Sequence, residues 1–288
     1  VLGELRRTAA AGIGALGVAP RAALRPLGSA RELRAALGGL GKALAASLHR
    51  ASPTPLNLPI GPHRRFDWLR FELADVKQVK KQLGGTLNDV VLATVAGALR
   101  RFLRKRGADV ERLDFRAMLP VNVRTQRESG AFGNRVTMMS APLPLAAKTP
   151  RERLRRVSET TRALKASGQA RGVELVEQLS ELAGTAFFGQ LARVTALTRP
   201  FNVVVTNVPG PQFRAYLLGA PLVEAYPLVP LYRNQALGIA LFSYDGGLYW
   251  GFNADWDALP DLHELVEWVA DEFEHLRRAA ARSAGGNR

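Results

Sequence analysis

The chain has 288 residues, 47% of them hydrophobic, enough for one large core or two small ones. It contains no cysteine, which excludes disulfides, thiolate-bound zinc and a catalytic thiol, and leaves a reducing cytoplasm as the expected setting. The formal charge of +15 predicts attraction to polyanions, but the basic residues are dispersed and form no nucleic-acid-binding signature, so nucleic acid is not an expected partner.

Residues 1–51 are rich in Ala, Gly, Leu and Arg and read as a basic helical linker segment. Leu33, Leu37, Leu40, Leu44 and Leu48 form an apolar stripe that suits either packing on the rest of the protein or contact with a membrane surface. The first residue is Val1 and the first methionine is Met118, so the chain is expected to be a piece of a longer protein. Neither a signal peptide nor an apolar run of about 20 residues is visible.

Residues 52–282 are expected to form a single lobe. Ser52–Phe66 carries four prolines and a glycine and reads as an extended crossing segment. A strand follows over Phe66–Leu73, then a helix over Ala74–Leu83, opened near Asp75 and stopped by Gly84 and Gly85. Thr86 is placed to cap the next helix, which is apolar on nearly every side and must be deeply buried. Its basic end, Arg100–Arg106, suits a helix carboxyl terminus. Strands are expected over Phe115–Val123 and Asn134–Leu145, and helices over Pro150–Ser167 and Gly172–Thr198. Phe201–Thr206 reads as a strand, Asn207–Pro211 as a turn, and Leu222–Leu231 as extended. Ala236–Tyr244 and Leu248–Ala254 form a hairpin around Asp245-Gly246-Gly247, a last helix spans Leu262–Ala281, and 283–288 should be a frayed tail. Mixed strands with segregated helices predict a mixed-sheet α/β sandwich.

The chemistry-bearing residues are few. Of the four histidines, His49, His263 and His275 fall on helices with charged faces, and His63 lies in a basic loop with no visible partner. There is no Gly-x-Ser-x-Gly elbow, no phosphate-cradling glycine loop and no metal-ligand cluster beyond the weak pair Asp255 and Asp257, so no metal is expected. Asn88-Asp89 differ. Two hydrogen-bonding side chains at the front of an apolar helix need partners, so they read either as pocket residues or, for Asp89, as a helix cap. Gly133-Asn134 and Asn207 before Pro209-Gly210-Pro211 read as rigid turns beside a crevice.

A resemblance then becomes specific. Thr54-Pro55-Leu56-Asn57, Gly61-Pro62-His63-Arg64-Arg65-Phe66, Thr86-Leu87-Asn88-Asp89-Val90-Val91-Leu92, Pro120-Val121-Asn122-Val123-Arg124, Thr206-Asn207-Val208-Pro209-Gly210-Pro211, Leu218-Gly219-Ala220 and Asn253-Ala254-Asp255 occur in that order. In these the chain resembles the carboxyl-terminal domain of the bacterial wax ester synthase/acyl-CoA:diacylglycerol acyltransferases. The resemblance implies one lobe of a chloramphenicol-acetyltransferase-like two-lobed fold, with a tunnel between the lobes. It implies acyl-CoA as co-substrate with no bound cofactor, and diacylglycerol or a long-chain alcohol as acceptor. The partner would be an amino-terminal lobe carrying the histidine of an HHxxxDG motif, at the cytoplasmic face of the inner membrane or a lipid-droplet surface. Asn88, Asp89, Asn134, Asn207, Pro209 and Gly210 would line or brace the tunnel, and Arg64, Arg65 and Arg124 are candidates for coenzyme A phosphates. HHxxxDG does not occur in this sequence. Half an enzyme, inactive alone, is therefore the expectation, against a noncatalytic lipid-binding or interaction lobe.

Overall fold

The computed structural model describes residues 50–122, 136–166 and 201–285. The basic segment 1–49, Arg124, Asn134, the helix expected over 172–198 and the last residues of the tail lie outside the described residues.

Strand β1, Arg64–Glu72, alternates exposed and half-buried side chains along its length. That is the pattern of an end strand covered on one face. Helix α1, Leu73–Leu83, follows without a break, with Asp75 in its first turn, and ends at Gly84, where φ reaches 84°. A glycine meets that angle without strain. Helix α2, Leu87–Lys105, opens on a capping box formed by Thr86 and Asp89, and fourteen of its nineteen residues are buried. Each large side chain it buries contributes on the order of 1.5–3 kcal/mol, so α2 is the spine of the core.

Arg100, read as the start of the basic run at the helix carboxyl end, is buried within the fold. It donates to the Leu145 carbonyl and to Glu111. The basic decoration of the last turn comes from Arg104 and Lys105.

The remaining elements are β2 (Arg116–Asn122), β3 (Val136–Pro142), α3 (Pro150–Ala166), β4 (Val203–Pro209), the short pair β5 (Tyr216–Leu217) and β6 (Ala220–Pro221), β7 (Leu237–Tyr244), β8 (Gly247–Asp255) and α4 (Leu262–Gly285). Six strands form one sheet in the order β1-β8-β7-β4-β2-β3. β2, β4 and β7 run parallel, and the other pairs are antiparallel. The helices cover one face, where Phe102, Leu99, Leu237, Trp250, Phe252 and Leu265 join a single core.

A strap, residues 222–231, covers the other face at β7 and β8. Asn253 Nδ2 donates to the Val229 carbonyl at 2.9 Å, and Tyr249 Oη to the Val223 carbonyl at 3.3 Å. The strap runs so close that a Cβ at Gly251 would collide with the Pro227 carbonyl. β8 is consequently buried at every position.

Two sequence expectations need correction, and one element was missed. The turn expected at Asn207–Pro211 begins only at Gly210, because β4 continues through Pro209, paired with β7 as Asn207↔Leu241, Val208↔Phe242 and Pro209↔Ser243. The tail expected to fray from residue 283 is helical through Gly285, and Ser283 Oγ bonds the Ala279 carbonyl. The β5–β6 hairpin was not anticipated. It turns at Leu218 and Gly219, both at positive φ (50° and 85°).

Candidate functional site

The front of α2 meets the carboxyl ends of β2 and β4, the position where parallel sheets leave room for ligands. An open crevice lies there, walled by Val91, Leu92, Leu119, Met139, Leu164 and Val205, with Asn88, Asn207, Thr161 and Lys165 among its polar lining.

Asp89 is 2% exposed and fully engaged. Its Oδ2 accepts the Thr86 N–H at 2.7 Å and its Oδ1 accepts the Thr161 hydroxyl at 2.7 Å, while Thr86 Oγ1 accepts the Asp89 N–H at 3.2 Å. The cap reading is met, and the same carboxylate ties the α2 terminus to α3 at the edge of the crevice. Gly85, at φ 84°, is needed beside it, since a Cβ there would lie 3.2 Å from Asp89 Oδ2.

Asn88 and Asn207 come together across 119 residues of sequence. Asn207 Nδ2 donates to Asn88 Oδ1 at 2.7 Å. This leaves the Asn88 amide nitrogen as a donor and the Asn207 carbonyl as an acceptor at the crevice. Pro209 and Gly210 lie just past Asn207, at the end of β4. Gly210 donates to the Ser243 carbonyl at 2.9 Å, and a Cβ on it would penetrate the Phe242 ring. Both therefore hold the end of β4 against β7.

Arg64 and Arg65 stand elsewhere. They belong to β1, separated from β4 by β8 and β7. Arg64 donates to the carbonyls of Gly61 and His63 and lies 3.6 Å from Asp255. Arg65 covers the Trp256 ring at 3.7 Å and donates to its carbonyl. Both guanidinium groups are occupied, and a phosphate would have to compete for them.

Asp255 itself is a structural knot. It accepts the N–H groups of Gly61, Asp257 and Ala258 at 2.8, 3.2 and 3.0 Å. Burial opposes its charge, but those three donors and Arg64 outweigh it and hold the carboxyl below its ordinary value. The Asp255 carboxylate is thus committed to backbone donors, and no cluster of metal-ligating side chains occurs among the described residues. His63 is exposed in its loop, and His263 is turned to Asp67 at 2.7 Å.

Sequence reading missed Thr161, Lys165 and Asn202. The first two sit four apart on α3, a spacing that shares one helix face, but nothing in the sequence says that this face meets α2. Asn202 is buried and donates to the Ser52 carbonyl and Asn57 Oδ1 while accepting the Arg116 N–H. It anchors the Thr54–Asn57 motif at the opposite end of the parallel strands, which makes that motif a brace.

Comparison with known proteins decides the family. Residues 132–277 match the WS/DGAT C-terminal domain, and residues 4–91 match the wax ester synthase/diacylglycerol acyltransferase catalytic domain. The chain belongs to the wax ester synthase/diacylglycerol acyltransferase family. It is 33% identical over 241 residues to a Mycobacterium tuberculosis (strain ATCC 25618 / H37Rv) protein named as a diacylglycerol O-acyltransferase, a match covering 82% of this chain and 47% of that one. Against a second protein of that strain, also named for diacylglycerol O-acyltransferase, it is 31% identical, covering 88% of this chain and 56% of the other. The chain thus spans about half the length of the curated relatives it matches.

Among solved structures, a wax ester synthase/diacylglycerol acyltransferase from Marinobacter aquaeolei VT8 aligns with a TM-score of 0.64 at 26% identity, covering 92% of this chain and 60% of that one. The fold is accordingly the mixed-sheet α/β sandwich expected for the family. β1, α1 and the front of α2 fall within the catalytic-domain match, yet they share one core with the strands and helix of the other match. The four histidines of the sequence are nowhere adjacent, so the HHxxxDG pattern is not among its residues. Among the described residues no helix is long and apolar enough to cross a membrane.

Proposed function

We propose that this chain is the carboxyl-terminal half of an acyl-CoA-dependent O-acyltransferase that esterifies diacylglycerol or a long-chain alcohol, and that the catalytic base is supplied by an amino-terminal lobe. The observation that carries this reading is the make-up of the crevice. It has apolar walls and two interlocked carboxamides at the carboxyl ends of the parallel strands, but no histidine among the described residues of its lining. It is built to position reactants, and it lacks a group to take a proton near neutral pH.

In the reaction, the acceptor hydroxyl loses its proton to the partner lobe's imidazole as its oxygen attacks the thioester carbonyl. The tetrahedral adduct collapses by breaking the carbon–sulfur bond, and the departing coenzyme A thiolate takes up a proton. On this side of the tunnel the Asn88 amide nitrogen donates to the acyl oxygen as negative charge develops there. Asn207 fixes the Asn88 amide in that orientation by donating to its Oδ1. Asp89 holds Asn88 in place through the closed end of α2. Lys165 lies at the crevice for a coenzyme A phosphate, and Arg64 and Arg65 contribute to that group only by leaving their present partners.

A second feature supports a missing lobe. Phe213 just before β5, Tyr216, Leu217 and Leu218 of the β5–β6 hairpin, and Val223 and Leu228 of the strap are all exposed, with Leu218 wholly so. Exposed apolar side chains gathered on neighbouring segments suit an interface or lipid contact. The same surface suits adhesion to a membrane or lipid droplet.

The test measures acyl transfer from palmitoyl-CoA to diacylglycerol and to hexadecanol by the chain alone and by the chain joined to an amino-terminal lobe that carries HHxxxDG. Activity only in the joined protein is expected, with loss of at least tenfold in kcat/KM for Asn88→Ala. Activity in the isolated chain would overturn the half-enzyme reading and direct attention to His63. Silence in both arms would favour a noncatalytic lipid-binding lobe.

A further inference from the structure

The edge of the sheet at β1 carries chemistry that the crevice does not use. The β7–β8 hairpin closes on the two-residue turn Asp245-Gly246, with φ of 41° and 79°, and Tyr244 opposite Gly247. A two-residue turn of this kind makes its closing pair a hydrogen-bonded one. By the alternation of antiparallel ladders, Gly247, Tyr249, Gly251 and Asn253 then face β7, and Leu248, Trp250, Phe252 and Ala254 face β1. Their partners on β1 are Phe71, Leu69, Asp67 and Arg65. The backbone groups of Arg64, Phe66, Trp68, Arg70 and Glu72 therefore point outward, away from β8. Consistently, the Trp68 N–H is engaged by the side chain of Asp67, Oδ1 at 2.8 Å. Among the described residues no strand lies beyond this edge.

The same five residues present their side chains on the sheet face away from the helices. Phe66 and Trp68 are 38% and 53% exposed and stack at 6.1 Å. Their order, Arg64-x-Phe66-x-Trp68-x-Arg70-x-Glu72, is chemically self-complementary about its centre. Run antiparallel against itself with Trp68 on the two-fold axis, it sets Arg64 opposite Glu72, Phe66 opposite Arg70, and Trp68 opposite Trp68. These are an ion pair, a cation–π pair and an aromatic pair, the kinds of cross-strand neighbour that stabilise sheets.

We propose that two copies of this chain associate through β1, antiparallel and centred on Trp68, to continue the six-stranded sheet across a two-fold axis. Charges on an edge strand ordinarily guard against pairing. Here Arg70 and Glu72 already pair along the strand at 2.9 Å, and a second copy brings its own Glu72 opposite Arg64, so both signs stand at mirror positions. On pairing, the Trp68 N–H exchanges the Asp67 carboxylate for the carbonyl of the other Trp68. The interface is isologous and closed, which limits the assembly to a dimer.

The absence of cysteine makes the register testable. In the proposed dimer the two Trp68 Cα atoms lie about 5.5 Å apart, within disulfide reach. Trp68→Cys should cross-link to a covalent dimer under mild oxidation. Phe66→Cys and Arg70→Cys should each fail alone, since like positions are offset by roughly 14 Å, and should cross-link when mixed. Sedimentation equilibrium should find the untouched chain dimeric and the Glu72→Arg variant at least tenfold weaker in association. A monomeric chain at tens of micromolar would overturn the proposal. So would a dimer in which Trp68→Cys stays unlinked, which would place the interface elsewhere, for instance on the exposed β5–β6 hairpin. Equal cross-linking of all three single variants would overturn the register.

Discussion

Gly97 sits in the middle of α2, where helix propensity alone favours alanine by about 0.8–1 kcal/mol. The structure predicts the opposite sign for Gly97→Ala. Arg153 of α3 and Glu272 of α4 form an ion pair at 2.7 Å, with side chains only 3% and 7% exposed, and it crosses α2 over Gly97. A Cβ at that position would lie 2.7 Å from Glu272 Cδ and closer still to Glu272 Oε2 and Arg153 Nη1. The methyl group would have to part the pair, and separating a buried pair costs about 3–5 kcal/mol. Set against the propensity gain, the net destabilisation should be roughly 2–4 kcal/mol. For a domain of this size that lowers the melting temperature by roughly 5–15 °C. Urea and thermal unfolding followed by circular dichroism would measure it. The companion is Gly97→Ala in an Arg153→Met/Glu272→Leu background, where the added methyl meets no ion pair and its cost should largely vanish. A single variant as stable as the wild type, or one whose cost persists without the pair, would refute this account.

Two further outcomes follow from the site. Asp89→Ala should lose about 2–4 kcal/mol, because it removes both the cap on Thr86 and the buried bond to Thr161, and Thr161→Val should lose only about 1–2 kcal/mol; chemical denaturation of the two variants distinguishes these shares. Asp255→Asn should destabilise by on the order of 2–4 kcal/mol at pH 7; since the folded carboxyl titrates below its ordinary value of 3.8, its stabilisation is present above that pH and lost as pH falls through the lower folded value, so the gap between variant and wild type should be flat from pH 7 to 5 and close on further acidification.

The parts of this fold that are legible in sequence are those whose signal is local. α2 announces itself by Thr86 and Asp89 three residues apart, followed by an apolar run too continuous for a surface helix, and the β7–β8 hairpin by Asp245-Gly246 between alternating strands. The site is less legible because its geometry depends on distant chain segments. Asn88 and Asn207 each read as a polar residue needing a partner, but only the parallel placement of β4 beside β7 carries Asn207 past the point where its prolines suggested a turn. Arg100 and Arg153 look like ordinary helix-surface charges. Their burial depends on Leu145 and Glu272, residues far along the chain whose proximity no spacing reveals. The β5–β6 hairpin escaped notice for a different reason, since a two-residue ladder with exposed apolar side chains buries nothing of its own and leaves no periodic trace.

The strap over the outer face has a consequence for how such a protein can diversify. The Pro227 carbonyl fills the space a side chain at residue 251 would take, and Val229 lies against Gly238, so the strap is seated on the sheet in one register. Upstream, Tyr244 pins its root by bonding the Leu222 carbonyl and the Ala215 N–H. Between these anchorages the hairpin tip at Leu218 and Gly219 touches nothing that the core requires. Side chains at the tip can therefore be exchanged at little cost to the core, so that what the arm grasps can be rewritten while the shoulder that carries it keeps its stability.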